Sequence, residues 1–195
     1  MCTPKEIGSM GFGDLKAFNV ALLAKQGWRL QTCTNSLFFR VFQARYFPHG
    51  DFLLAIVGTK PSYAWRSIIA AQQIVRKGSR WRIGNGAKVR IWGDRWLPLS
   101  STFKAITPCL SGGDESLVAS LIDYQNGEWN LDALQRTLMA KDIESTLSIA
   151  LSPTLPDDSL IWALTSSGKF TVKSAYRLAL DERAGDNAEE SSNST

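Results

Sequence analysis

Histidine occurs once in the 195 residues, at His49, and cysteine three times, at Cys2, Cys33 and Cys109. The cysteines are odd in number and far apart. They spell neither a disulfide framework nor a zinc site, and they suit a reducing compartment. His49 sits in a Pro-His-Gly turn with no Cys or second His nearby to complete a metal site or a catalytic pair. Neither a Gly-x-x-x-x-Gly-Lys phosphate loop nor a Gly-x-Ser-x-Gly elbow is present. Long hydrophobic runs are also missing: none approaches the roughly 18 residues that span a bilayer. The first six residues lack the apolar stretch of a secretory signal. These absences predict no membrane partner and an intracellular location, nuclear or cytoplasmic, rather than secretion. The one Asp-Asp pair, Asp157-Asp158, follows Pro156 in a predicted loop. Polymerases hold two metal ions with paired carboxylates, but no third carboxylate accompanies this pair in a matching strand, so a turn or N-cap role is expected. The expectation is a protein with no catalytic residue, no metal and no cofactor.

Charge is plentiful but unevenly placed. Residues 1–110 carry 16 Lys and Arg against 4 Asp and Glu, a net of +12, whereas residues 111–195 carry 6 against 14, a net of −8. Such asymmetry suggests a basic half that meets polyanions, or two halves that attract one another. Hydrophobic content of 44% is ordinary for a globular chain of this length, which can bury one sizeable core or two small ones.

Periodicity predicts an α+β protein with a helix-rich N-terminal half, residues 1–98. Asp14 is placed to cap a helix running to Leu30, with Leu15, Phe18 and Leu22 on one stripe. A second helix starts at Asn35 or Ser36 and ends at Tyr46. A third runs from Ser62 to Lys77, buries Trp65, Ile68, Ile69 and Val75, and stops at Gly78. Residues 99–116 read as a linker rich in Ser, Thr, Pro and Gly. A smaller unit, residues 117–180, follows, with short helices over 117–122, 131–139 and 143–149. It continues with a hairpin joining 160–164 to 169–172 and a helix over 174–180. The polar, acidic residues 181–195 are expected to be disordered. No repeat at a solenoid period is present.

The basic half closes on its most informative segment. Alternation on both sides of Gly84-Asn85-Gly86 predicts a β-hairpin. Trp81, Ile83, Val89 and Ile91 would share one face, and Arg80, Arg82, Lys88 and Arg90 the other. The four cations, with Arg95, are candidates for phosphate contacts. Trp92 and Trp96 flank Asp94-Arg95 in a turn and are candidates for base stacking. For the remaining tryptophans, core packing is the expectation.

Several runs carry a family resemblance. They are Phe18-Asn19-Val20-Ala21-Leu22-Leu23-Ala24-Lys25-Gln26-Gly27-Trp28-Arg29-Leu30, Ala44-Arg45-Tyr46-Phe47, Ser62-Tyr63-Ala64-Trp65-Arg66, Trp81-Arg82-Ile83-Gly84-Asn85-Gly86 and Trp92-Gly93-Asp94-Arg95-Trp96-Leu97-Pro98. In this order they resemble the segment just after the polymerase core in plant non-LTR (LINE-type) retrotransposon reverse transcriptases. Asp158-Ser159-Leu160-Ile161-Trp162 through Lys169-Phe170-Thr171-Val172-Lys173-Ser174-Ala175-Tyr176 resembles the opening of that family's zinc-binding region. The resemblance covers about residues 2–180. It implies an RNA-directed DNA polymerase as parent, with the metal-holding Tyr/Phe-x-Asp-Asp site upstream of this segment and the zinc ligands downstream. Ser9 stands where the family usually has a second glycine and Gly13 where an arginine is common, departures that suit a decaying copy. Residues after Leu180 have no counterpart in the family.

The expected function is therefore that of a non-catalytic fragment that contacts RNA or DNA through backbone phosphates with low specificity. The alternative is a protein-interaction or structural remnant that docks onto a reverse transcriptase core. An enzyme acting in trans would need an active site that the sequence does not display.

Overall fold

In the computed structural model, the residues described are 13–48, 50–98, 102–109 and 115–192, with side chains described to residue 185. The helices are α1 (Leu15–Thr32), α2 (Leu37–Tyr46), α3 (Tyr63–Ala70), α4 (Gln72–Gly78), α5 (Leu131–Thr137), α6 (Ala140–Leu147) and α7 (Val172–Ser192). The strands are β1 (Ser79–Arg82), β2 (Ile122–Asp123), β3 (Glu128–Trp129) and β4 (Ser159–Trp162), with 3-10 turns at Phe52–Leu54 and Val118–Leu121. This is an α+β fold. Among the described residues no helix is long and apolar enough to cross a membrane.

The chain folds as two compact units. One joins the described residues up to Gly78 to those from Trp162 onward, and the other is Ser79–Ile161. The first is helical, and its helices start where local chemistry dictates. The Asp14 side chain accepts the N–H of Lys16 and Ala17, Ser36 accepts Phe39 N–H, and Ser62 accepts Trp65 N–H. Each cap satisfies a donor that the first helical turn leaves free.

Helix α1 does not bury the stripe expected of it. Leu15 is 63% exposed, and Phe18 and Leu22 are exposed too, while Ala17, Ala21 and Ala24 are fully enclosed. Ala175 and Ala179 of α7 are buried in the same cluster, and α7 is the main packing partner of α1. Small side chains at spacings of three and four let the two backbones approach, which bulky Leu and Phe would prevent. Tyr176 of α7 fills the space beside Gly13 and accepts the Asp14 N–H at 2.9 Å. Trp65 is fully buried, stacked on Tyr46 with ring centroids 4.7 Å apart, and its indole N–H reaches the carbonyls of Ile56 and Val57. The expected third helix is two, α3 and α4, divided at Ala71.

The expected basic hairpin is absent. Strand β1 pairs with β4 rather than with residues 88–91. The other arm has different partners: Val118 N–H donates to Val89 O, Ile91 N–H to Ser116 O, and Arg90 bridges Leu117. The reason is a buried acceptor, Asp158, which draws the Gly-Asn-Gly loop around itself. The second expected hairpin is half formed, because β4 is present but residues 169–171 make no strand. A hairpin the sequence did not signal pairs β2 with β3, Ile122 opposite Trp129. The core of the second unit gathers Ile83, Val89, Ile91, Trp96, Leu97, Val118, Leu121 and Leu134. Helix α7 continues past Leu180 to Ser192.

Candidate nucleic-acid interface

The loop at residues 84–88 is organised by two neighbouring carboxylates with different tasks. Asp158, 6% exposed, accepts Gly84 N–H at 2.8 Å and Gly86 N–H at 2.9 Å on one oxygen, and Lys88 N–H at 2.9 Å on the other. Glycine is required at both tips. A Cβ on Gly84 would lie 1.8 Å from the Pro156 carbonyl oxygen, and Gly86 has φ +68° with a Cβ position 2.5 Å from Ala119 N. Asp157 faces outward. It accepts the Lys88 ammonium at 2.7 Å and the Asn85 amide at 3.3 Å. The hydrogen bond from Lys88, with its charge, holds the Asp157 carboxyl below its ordinary pKa, and the same bond raises that of Lys88. The Asp-Asp pair is thus a loop anchor beside a surface ion pair. Among the described residues no group of three or more His, Cys, Asp or Glu is placed to hold a metal ion.

The cations named from the sequence do not share one open face. Lys88 is spent on Asp157, and Arg90 is paired with Asp94 through its side chain and its backbone N–H. Arg82 is exposed and donates to the Ser159 hydroxyl at 3.2 Å. Arg80 and Arg95 converge on a residue that sequence reasoning assigned to a linker, Phe103. Their guanidinium carbons lie 5.9 Å and 5.1 Å from its ring centroid. Both are half-buried, and burial pushes both guanidinium pKa values down. Among the described residues neither has a carboxylate within salt-bridge distance. Arg80 donates to the Trp96 carbonyl at 3.3 Å, and the Arg95 Nε–H is buried with no acceptor among the described residues.

Phe103 is held firmly. Its carbonyl accepts both Trp96 N–H at 2.7 Å and Leu97 N–H at 3.0 Å, and its φ of 59° is in the left-handed region that side chains seldom adopt. Farther along, the buried carboxylate of Asp142 in α6 accepts Thr107 N–H at 2.7 Å and Ile106 N–H at 3.2 Å, tying this segment to the helix. No motif in the sequence signals Phe103. Its role comes from contacts with residues far along the chain.

The two tryptophans separate. Trp96 is fully buried in the core with its indole N–H on the Ile91 carbonyl, so its ring offers no face to a base. Trp92 is half-buried against the same core, and its Nε1–H is enclosed with no partner among the described residues. Cys33 and Cys109 are exposed free thiols, and His49 and Cys2 lie outside the described residues. Charge is redistributed by the fold as well. Of the described residues, those of the first unit hold 13 Lys and Arg against 7 Asp and Glu, net +6, and those of the second hold 8 against 9, net −1. The basic N-terminal half of the sequence is therefore not one basic body in the fold.

The chain is similar to two proteins of Arabidopsis thaliana. One is described as an uncharacterized mitochondrial protein, 45% identical over 98 residues, half of this chain and 64% of that relative. The other, named "Putative ribonuclease H protein", is 31% identical over 190 residues, which is 93% of this chain and 30% of that relative. The chain thus spans less than two thirds of either relative's own length. No protein-family model matches it, and no solved structure does.

Proposed function

We propose that the chain is a non-catalytic, retrotransposon-derived segment of the reverse-transcriptase connector type, and that it contacts the phosphate backbone of RNA or DNA with low sequence specificity. The relatives and the order of the sequence motifs support the origin. The observation that carries the contact is the pair Arg80 and Arg95, two half-buried cations to which no described carboxylate is paired. A desolvated, uncompensated charge is costly, and an anionic oxygen relieves it. With the exposed Arg82 they make three arginines free to neutralise phosphates.

The test is fluorescence anisotropy with oligonucleotides of unrelated sequence, single-stranded and duplex, between 50 and 200 mM salt. Three neutralised phosphates give a log–log slope of about −2.1 on single strands and −2.7 on duplex, a roughly 20- to 40-fold loss of affinity over that range. Unrelated sequences should bind alike, because phosphate contacts position without reading bases. Binding that ignores salt, or no binding at all, overturns the reading. A primer-extension assay on a primed RNA template with Mg²⁺ or Mn²⁺ is expected to show no synthesis.

A second reading has its own observation. Leu15, Phe18 and Leu22 on α1, and Leu37 and Val41 on α2, are large apolar side chains left exposed. Exposed apolar faces mark protein contacts, and the remainder of a reverse transcriptase is the partner this reading names. Co-purification with a separately expressed polymerase core, together with a flat salt response toward oligonucleotides, would favour it.

A further inference from the structure

We infer that Arg80, Phe103 and Arg95 form a preassembled binding site for a phosphate group, with Phe103 as its positioning residue; the inference rests on the backbone-contact reading above and deepens it. Four observations meet there. Two guanidinium groups lie within 6 Å of the centroid of one aromatic ring, close enough for cation–π attraction to hold each of them in place. The neighbouring acid, Asp94, is engaged by another cation, accepting from the Arg90 backbone and side chain. Arg95 keeps its Nε–H enclosed and, among the described residues, without an acceptor, so its charge is poorly compensated and an anion on its other N–H groups offsets that cost. Phe103 adopts φ 59° and is pinned by two N–H groups on its carbonyl, so its backbone is held in a conformation that a phenylalanine seldom adopts. Backbone strain of this kind persists where the surroundings over-determine it, and it accumulates at binding sites.

The chemistry that satisfies two partly desolvated guanidinium groups is a multidentate oxyanion. Guanidinium forks match phosphate oxygens in charge and geometry, and holding them in place beforehand reduces the entropy lost on binding. The phosphate can come from the backbone of a nucleic-acid strand or from a free anion, and the measurement separates them.

The experiment uses the full chain with ¹⁵N-labelled arginine. The Nε–Hε cross-peaks of Arg80 and Arg95 are assigned by their disappearance in R80K and R95K, and are then followed during titration with inorganic phosphate, pyrophosphate and a single-stranded oligonucleotide. Saturable movement of both peaks with all three supports a site open to free phosphate. Movement with the oligonucleotide alone supports a site for the strand backbone. F103L is expected to weaken binding of the ligand that moves the peaks by about tenfold, while K25Q, which removes an exposed charge in α1, changes it less than twofold. Thermal melts of each variant report whether the fold survives. If the F103L fold fails, the arginine peaks of the parent chain still decide. If the oligonucleotide binds with a steep salt slope while both peaks stay still, this inference falls and the backbone-contact reading stands elsewhere on the chain. If nothing binds, both fall.

Discussion

Removing the Asp158 carboxylate tests the construction of the second unit most directly. Asp158→Ala strips one acceptor from three backbone donors, the N–H groups of Gly84, Gly86 and Lys88, at 2.8–2.9 Å. Hydrogen bonds to a charged group contribute about 1.5–3 kcal/mol each, and donors left buried add their desolvation cost. The three bonds share one carboxylate and are not additive, so the expected loss is about 3–5 kcal/mol, as when one partner of a buried charged contact is deleted. In urea, with a slope of about 2 kcal/mol/M, the midpoint should fall by roughly 1.5–2.5 M. Native-state hydrogen exchange supplies the local readout: the amides of Gly84, Gly86 and Lys88 should lose protection together. Asp158→Asn keeps the shape but presents an NH₂ where an oxygen accepted, so it should fall between parent and Ala. Asp157→Ala, next door on the surface, should leave the midpoint where it is. A midpoint shift for Asp158→Ala below about 0.5 M, with the three amides still protected, would refute the idea that this carboxylate organises the loop.

Trp65→Ala should cost about 3–5 kcal/mol in the helical unit, because a fully enclosed ring is removed from among four other aromatic rings; a melt barely changed by it would contradict that packing. Gly84→Ala should destabilise by about 1–3 kcal/mol through forced movement of the loop against the Pro156 carbonyl, measured by the same urea titration. Asp14 supplies a pH-dependent term. The Ala17 N–H above all, aided by Arg183 and the Lys16 N–H, holds its carboxyl below the ordinary range against the opposing effect of burial. A lowered folded pKa means that its stabilisation is complete above the unfolded carboxylate range and lost as pH falls through the folded value. The melting temperature of D14N should therefore lie below the parent at neutral pH and converge with it in acid; a constant gap across that range would contradict the cap.

Local chemistry made part of this fold legible. Asp14, Ser36 and Ser62 announce helix starts because a cap needs only its own side chain and the next three residues, and all three caps are in place. Trp65 reads as core because it sits on an apolar helical face behind its cap, and it is fully buried. The lack of a phosphate loop, nucleophile elbow or Cys/His cluster is likewise a statement about short-range pattern.

The rest depended on residues that meet only in three dimensions. Alternation around Gly84-Asn85-Gly86 predicts a hairpin whose arms pair with each other, but in the fold the arms have different partners. Those are 159–162 for one arm and 116–118 for the other, since backbone N–H and C=O groups pair with whatever the core brings beside them. Periodicity assigns α1 an apolar stripe of Leu15, Phe18 and Leu22. Close packing against α7 selects the alanine side, because only small residues allow that approach. The cationic face dissolved for the same reason: Lys88 and Arg90 found carboxylates at positions 157 and 94, while Arg80 and Arg95 found an aromatic ring. Which charges remain free to meet an anion is decided by tertiary neighbours, since a side chain's electrostatic partner is set by distance in space and not by spacing along the chain.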